Sequence, residues 1–371
     1  MPPPGENSEY YIGLMSGTSL DGIDGALITC SAQGRCHLAH TAYQPFDAEL
    51  RTQLLALSQT ADNDLESAAL AGIRLARRYA ETVARLLADT GLTPAQIRGI
   101  GCHGQTVRHR PEQGFSIQLG NPALLAELAG ITIVADFRSR DLAAGGQGAP
   151  LVPAFHQAYF SQPPANRVIV NIGGISNLTY LTATGDTALG FDCGPGNLLL
   201  DAWAERHLHK PYDHDGAWAA RGTVIPELLA ALHALPFFHR PPPKSTGRET
   251  FNLAWLDKWL TTDYAAADVQ ATLLQLTATA IADAIHDYCP QTQEVYLCGG
   301  GAHNSTLRRA LASLLPGVPL KLTDERGIAA DWVEAFAFAW LARQTLHHAP
   351  GNLPAVTGAK HPCILGAIYL A

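Results

Sequence analysis

The common nucleotide and hydrolase signatures are missing from this chain of 371 residues. It has no GxxxxGKS/T loop, no HExxH, no GxSxG, and no GxGxxG opening a helix after a strand. Their absence removes the Walker-type NTPase, the helical zinc protease, the serine-hydrolase elbow and the Rossmann dinucleotide turn. No apolar run reaches the roughly 18 residues of a membrane span, and no basic stretch followed by an apolar core marks the N-terminus, so a cytoplasmic protein is expected. The seven cysteines are odd in number, scattered and never spaced as CxxC. That pattern argues against a disulfide framework and structural zinc, and predicts free, mostly buried thiols. Lysine is scarce, five of 25 basic residues, and 33 acidic residues leave a formal net charge of −8. This balance gives no reason to expect nucleic acid or an anionic membrane as partner. Arginine, the dominant cation, suits fixed two-point contacts with anions.

What the chain does have is glycine in two similar settings. Gly13 to Gly22 and Val168 to Asn177 each run from a short apolar strand into small and hydroxyl-bearing residues, then back into apolar sequence. Each reads as strand, tight turn and second strand. Glycine lets backbone N–H groups approach an anion, and Ser and Thr add hydroxyl donors. One such turn is an ordinary hairpin; two in comparable places predict a nucleotide phosphate chain gripped by two related halves.

The rest of the sequence reads as α/β. Leu65 to Asp89 has the apolar spacing of a long helix (Leu70, Ile73, Leu75, Tyr79, Val83, Leu86, Leu87), Ile131 to Phe137 that of a buried strand, and Glu294 to Cys298 that of a strand entering Gly299-Gly300-Gly301. A further long helix is expected around Leu273 to Tyr288 and a last one over Trp332 to Leu346. The Gly145 to Pro150 stretch, followed by Pro153, is a loop or hinge. It divides the chain into a first lobe, residues 1–145 with about 350–371, and a second, residues 151–349. Size and composition fit two such domains.

Several longer stretches carry a resemblance. They are GLMSGTSLDGID (Gly13 to Asp24), GCHGQTVR (Gly101 to Arg108), ADFRSRDLAAGGQGAPLVPA (Ala135 to Ala154), NIGGISNL (Asn171 to Leu178), GFDCGPGNLLLDAW (Gly190 to Trp203), PKSTGRE (Pro243 to Glu249) and CGGG (Cys298 to Gly301). Together they resemble the anhydro-N-acetylmuramic acid kinases of the sugar kinase, Hsp70 and actin superfamily. The resemblance implies a two-lobed actin-like ATPase (ribonuclease H-like) fold with a central nucleotide cleft. It also implies ATP as co-substrate with Mg2+, an amino-sugar substrate from peptidoglycan recycling, and a homodimer. A kinase of another sugar on the same fold is the nearest alternative. An ATP-driven binding module would need a peptide-binding appendage or long insertions, for which the chain has no room.

On that resemblance, Gly17, Thr18, Ser19, Leu20, Asp21, Gly22, Ile23 and Asp24 wrap the ATP phosphates together with Gly173 and Gly174, and Gly299, Gly300 and Gly301 lie against adenosine. Asp21 is a weak candidate for orienting the metal. Asp192 is the expected catalytic base, at the C-terminal end of a strand where ligands of α/β sheets collect. Arg138 and Arg140 suit the sugar's lactyl carboxylate or the transferring phosphoryl group, and a surface salt bridge is the plain alternative. His103, Gln105 and Glu334 are expected sugar or water contacts, against structural readings that sequence alone leaves open. The Lys244 to Arg248 loop looks like an anion site and is given no role.

Overall fold

Short apolar runs broken by glycine and asparagine become strands, and stretches of 3.6-residue periodicity become helices. The computed structural model describes residues 8–17, 19–58, 64–185 and 188–371. Met1 to Gly5, whose prolines and glycine suggest a loose N-terminus, and Thr18 lie outside these. The chain divides into two units, Met1–Phe155 with Trp332–Ala371, and His156–Asp331.

The first unit opens with a meander of β1 (Glu9–Ser16), β2 (Gly22–Cys30) and β3 (Cys36–Pro45). Then come α1 (Ala48–Leu57), α2 (Asp64–Thr90), β4 (Ile97–Arg110), β5 (Phe115–Leu119), α3 (Pro122–Ala129), β6 (Ile133–Ala135) and α4 (Ser139–Ala143). Helix α5 (Val152–Phe160) carries the chain across the boundary. The second unit opens with its own meander, β7 (Arg167–Ile172), β8 (Ile175–Leu181) and β9 (Ala188–Pro195). It continues with α6 (Leu198–Leu208), α7 (Pro226–His233), α8 (Leu253–Leu256), α9 (Ala266–Tyr288), β10 (Glu294–Cys298), α10 (Ser305–Leu314) and β11 (Leu320–Leu322). Helix α11 (Val333–Leu346) and β12 (Ala367–Tyr369) return to the first unit.

Both sheets follow one pattern. The second strand of each meander lies between the first and third, antiparallel to both, and a parallel pair extends the sheet beyond the first strand. The orders are β3-β2-β1-β4-β6-β12 and β9-β8-β7-β10-β11. In the first, β4 runs parallel to β1 and β6 parallel to β4; in the second, β10 runs parallel to β7 and β11 parallel to β10. The α/β class is therefore realised twice, and both glycine turns occupy the same place, the link between first and second meander strands.

Helix α11 belongs to the first unit, although the sequence reading grouped it with the second lobe. The reason is steric. Gly13 and Gly101 face each other across the β1–β4 ladder, and a Cβ on either would run into the carbonyl oxygen of Ala335 or Phe338 on α11. Without side chains there, and with Ala335, Ala339 and Ala342 on the helix, backbone packs on backbone. Gly25, on the opposite face, approaches Thr82 and Leu86 of α2, so the sheet is sandwiched between α2 and α11. The buried stripe of α2 runs through Ala71, Leu75, Tyr79, Val83 and Leu86, while Leu70, expected on it, is exposed.

Two further expectations are corrected. The strand read over Ile131 to Phe137 is limited to Ile133–Ala135, because Asp136 turns to φ 57° and ends it. Cys30 and Cys36 are not free but joined as a disulfide. They face each other in register at the mouth of the β2–β3 turn, a pairing that a search for CxxC passes over. The other five cysteines are buried free thiols. Among the described residues no helix is long and apolar enough to cross a membrane.

The α11 contact makes a test of packing. Gly101→Ala should cost about 3 kcal/mol of unfolding free energy in a denaturant titration, because rigid backbone must move. Gly120→Ala, whose Cβ would meet nothing within 4 Å, should change it by less than about 1 kcal/mol. Equal costs would show that α11 does not seat on these glycines.

Candidate active site

In the first unit the β1–β2 link begins at Gly17. The Leu20 N–H reaches back to the Gly17 carbonyl at 3.4 Å, and Ser19 donates to Asp21 Oδ1 at 2.6 Å. Leu20 is buried with φ 56°, while Ser19 and Asp21 are exposed. Gly22, Ile23 and Asp24 belong to β2, and Ile23 is wholly buried in the core. Among the described residues of the expected loop before β2, Gly17, Ser19 and Asp21 are the ones open to a ligand. The base of the loop is held by Gln105, which bonds Ser16 Oγ through its carbonyl oxygen and donates to the Gly17 carbonyl at 3.1 Å. Gln105 is itself buried. It braces the loop rather than standing open to a sugar.

A register shift between β1 and β4 follows Cys102 and precedes Gln105, and Gly104 in it has φ 75°. Such a bulge redirects side chains. His103 turns onto the α11 face, its ring 4.8 Å from that of Phe338. Arg138 Nη2 lies 2.8 Å from His103 Nε2. A guanidinium can only donate, so Nε2 accepts and the ring proton sits on Nδ1. Burial, and then the Arg138 charge, push the His103 pKa down to about 3. Arg138 also donates to the Gly148 carbonyl at 2.7 Å.

The Gly145 to Gly148 loop is pinned from below by Asp141, a carboxylate with no solvent exposure. It accepts from Gly148 N–H at 2.8 Å, Asn352 Nδ2 at 2.6 Å and Thr357 Oγ1 at 2.7 Å. A side chain at Gly146 would collide with it. Sequence reading passed over Asp141; one available signal was its place three residues after Arg138, on the first turn of a helix. Arg140 is exposed on α4, and Glu334 is half-buried in the first turn of α11.

In the second unit, Gly173 and Gly174 form the β7–β8 link, and their carbonyls accept N–H groups from the start of α6. Asn197 donates to Gly173 at 2.8 Å, Gly196 and Leu198 to Gly174 at 2.9 and 3.0 Å. Gly299-Gly300-Gly301 follow β10, beside β7, and pack on the end of β7 that leads into this link. A Cβ on Gly301 would overlap Ile172, and one on Gly299, with φ 77°, would strike the Asn171 side-chain oxygen. The structure therefore brings Gly173, Gly174 and Gly299 to Gly301 together at the C-terminal ends of two parallel strands. Asn197, which ties the start of α6 to this cluster, and Asn171 beside Gly299 were not singled out from sequence. Asn197 Nδ2 donates to the Ile172 carbonyl at 3.2 Å.

Asp192 lies within β9 rather than beyond its end. It pairs with Asn177, whereas Gly194 pairs with Ser176, leaving Cys193 as an extra residue. This bulge sets the direction of the Asp192 side chain. The carboxylate is buried and accepts the Thr246 N–H on Oδ2 at 2.9 Å. Asp192 N–H in turn donates to the Lys244 carbonyl at 3.1 Å. No group of three or more His, Cys, Asp or Glu side chains among the described residues forms a metal cage.

The family model for anhydro-N-acetylmuramic acid kinase matches residues 9–371. The chain is 57% identical over 364 residues to the anhydro-N-acetylmuramic acid kinase of Nitrosomonas europaea, covering 98% of this chain and 100% of that protein. It is 56% identical over 364 residues to that of Nitrosospira multiformis, covering 98% and 99%. A solved structure, the activator of the 2-hydroxyisocaproyl-CoA dehydratase from Clostridium difficile with bound ADPNP, is 14% identical over 92% of this chain and 98% of its own, with a TM-score of 0.45.

The His103 environment has a pH consequence. Its depressed pKa means that, as pH falls from about 6.5 toward 3, the unfolded chain takes up a proton that the native ring refuses. Stability present above about pH 6.5 is lost on the way down. His103→Gln should flatten the fall in denaturant stability between about pH 7 and 4.5 relative to wild type. An unchanged slope would mean that the native ring takes up its proton over the same pH range as in the unfolded chain.

Proposed function

The chain belongs to the anhydro-N-acetylmuramic acid kinase family, and on that premise we propose that it opens the 1,6-anhydro bridge of anhydro-N-acetylmuramic acid with water and phosphorylates the freed O6. It is a kinase, hence a transferase, with ATP as phosphoryl donor. The proposed products are N-acetylmuramic acid 6-phosphate and ADP, made in the recycling of peptidoglycan. The observation that supports the mechanism best is the Asp192 carboxylate, aimed by a bulge and held by the Thr246 N–H.

In the proposed reaction a bond forms between the water oxygen and C1 while the C1–O6 bond breaks. Asp192 takes one water proton, and the other stays on the new anomeric hydroxyl. A carboxylate is basic enough for this because C1 acquires oxocarbenium character as O6 departs, the logic of inverting glycosidases. O6 then attacks the γ-phosphorus, the bond to the β-phosphate oxygen breaks, and ADP leaves. The proton on Asp192 passes to solvent.

The Gly17 to Asp21 loop and the Gly173-Gly174 link are the proposed phosphate grips, and the Gly299 to Gly301 turn the adenosine support. Mg2+ would come with the nucleotide, since it is commonly held by substrate phosphates and one or two carboxylates; Asp21 is the exposed carboxylate of the first loop. Bound there, it would neutralise phosphate charge. Arg138 is engaged with His103 and Gly148, so exposed Arg140 is the better proposed partner for the lactyl carboxylate. Glu334 is a proposed contact for sugar or water. The need for ATP argues for action in the cytoplasm, and the family resemblance for a homodimer.

The test is ADP release with anhydro-N-acetylmuramic acid, set beside a panel of other sugars. Asp192→Asn should lower kcat about 10³-fold without shifting the melting temperature. A variant within tenfold of wild type would remove Asp192 as the base. Turnover of another sugar in preference to the anhydro sugar would overturn the substrate assignment.

A further inference from the structure

Lys244 is one of five lysines in the chain, and it is buried. Its ammonium donates to the carbonyls of Phe237 and Phe238 at 3.3 and 3.0 Å. It also lies over the rings of Phe237 and Phe191, 5.0 and 5.6 Å from their centroids. A buried ammonium gives up strong hydration and is retained only where carbonyls and aromatic faces replace it. Burial lowers its pKa, while Cys193, Asp287 and Asp192 oppose that shift.

The backbone of the same residue touches Asp192. The Lys244 carbonyl accepts the Asp192 N–H, and two residues later the Thr246 N–H binds the Asp192 carboxylate. The segment 244–246 therefore clasps Asp192 at both main chain and side chain, along the outer edge of β9. Its own anchor is the Lys244 side chain, fixed to the 237–238 turn. That turn is locked in turn by rings: Phe237 and Phe238 lie 5.8 and 5.7 Å from Phe251, and Phe191 lies 5.3 Å from Tyr288 of α9.

From this geometry we infer that Lys244 is a positioning residue for the reaction: its buried ammonium fastens the 244–246 segment that holds the Asp192 carboxylate in its working direction. The inference rests on the reading of Asp192 as the base. It assigns the Lys244 to Arg248 loop a part in catalysis without requiring it to touch the substrate. A displacement of about 1 Å in such a group costs about 10²-fold in rate, so the effect falls on kcat rather than on nucleotide binding.

The experiment is a double-mutant cycle on the full-length protein, with anhydro-N-acetylmuramic acid and ATP. Lys244→Met keeps the stem and removes the charge; Lys244→Arg keeps the charge and the donors; Asp192→Glu moves the carboxylate. Lys244→Met should lower kcat about 10²-fold with the KM for ATP within about twofold. Lys244→Arg should recover at least about tenfold of that loss. In the Asp192→Glu background the same Lys244→Met change should cost less than about threefold, because the carboxylate it serves is already misplaced. Equal losses in both backgrounds, or wild-type kcat in folded Lys244→Met, would overturn the inference while leaving Asp192→Asn inactive and the base intact. An active Asp192→Asn would overturn both. If Lys244→Met does not fold, Thr246→Pro, which deletes the N–H to the carboxylate, runs through the same cycle with the same two readings.

Discussion

At Gly13 and Gly101 the first sheet has no side chain to hold α11 away, and the helix backbone comes down onto the strands. Much of the first unit follows from that contact. It draws a helix that starts at Val333, far downstream of the hinge-like Gly145 to Pro150 loop, back onto the N-terminal sheet. It sets Phe338 against both His103 and Phe137 and fixes the first turn of α11, with Glu334, beside the sheet. The second unit uses the same device on a smaller scale. Gly196 presses on the Gly173 carbonyl, and Gly301 on Ile172. A ligand that needs backbone N–H groups at close range can be served only where backbone is this tightly laid down.

Against this glycine framework the buried polar groups divide by function. Asp141 collects three donors and ties the Gly145 to Gly148 loop to Asn352 and Thr357. Arg138 and His103 continue that brace through a guanidinium-to-imidazole contact, and burial, with the Arg138 charge second, keeps the ring neutral. Gln105 does the same for the first glycine turn. These groups are engaged in holding loops, and a group so engaged adds rigidity more than chemistry. Asp192 differs because its supports come from backbone: a strand bulge on one side and the 244–246 segment on the other.

How far the sequence could be read depended on the range of the interactions. The first two strands of each half, the 3.6-residue stripe of α2, and the glycine turns after β1, β7 and β10 are local patterns and were legible; β3 was not. Asp192 was legible as a strand-associated carboxylate, though its strand runs on to Pro195. Contacts between distant residues were not. Nothing near Gly13 says that its missing side chain admits Ala335, nothing near Asp141 names Asn352, and the Cys30–Cys36 bridge depends on a turn register that a count of cysteines cannot give. Lys244 is the sharpest instance. In the sequence it reads as a surface anion site stiffened by three prolines, whereas the fold buries it among phenylalanines. The nucleotide and sugar residues were named mainly through the family resemblance, and their roles remain proposals.

The central claim is that water, steered by Asp192, enters at the anomeric carbon while ATP phosphorylates O6. Single-turnover reaction in water enriched in heavy oxygen, quenched promptly and read by fragment mass spectrometry, tests it most directly. The account predicts heavy oxygen on C1 of the phosphorylated sugar and none in its phosphate group. Label in the phosphate, or a phosphorylated sugar free of label, would contradict it.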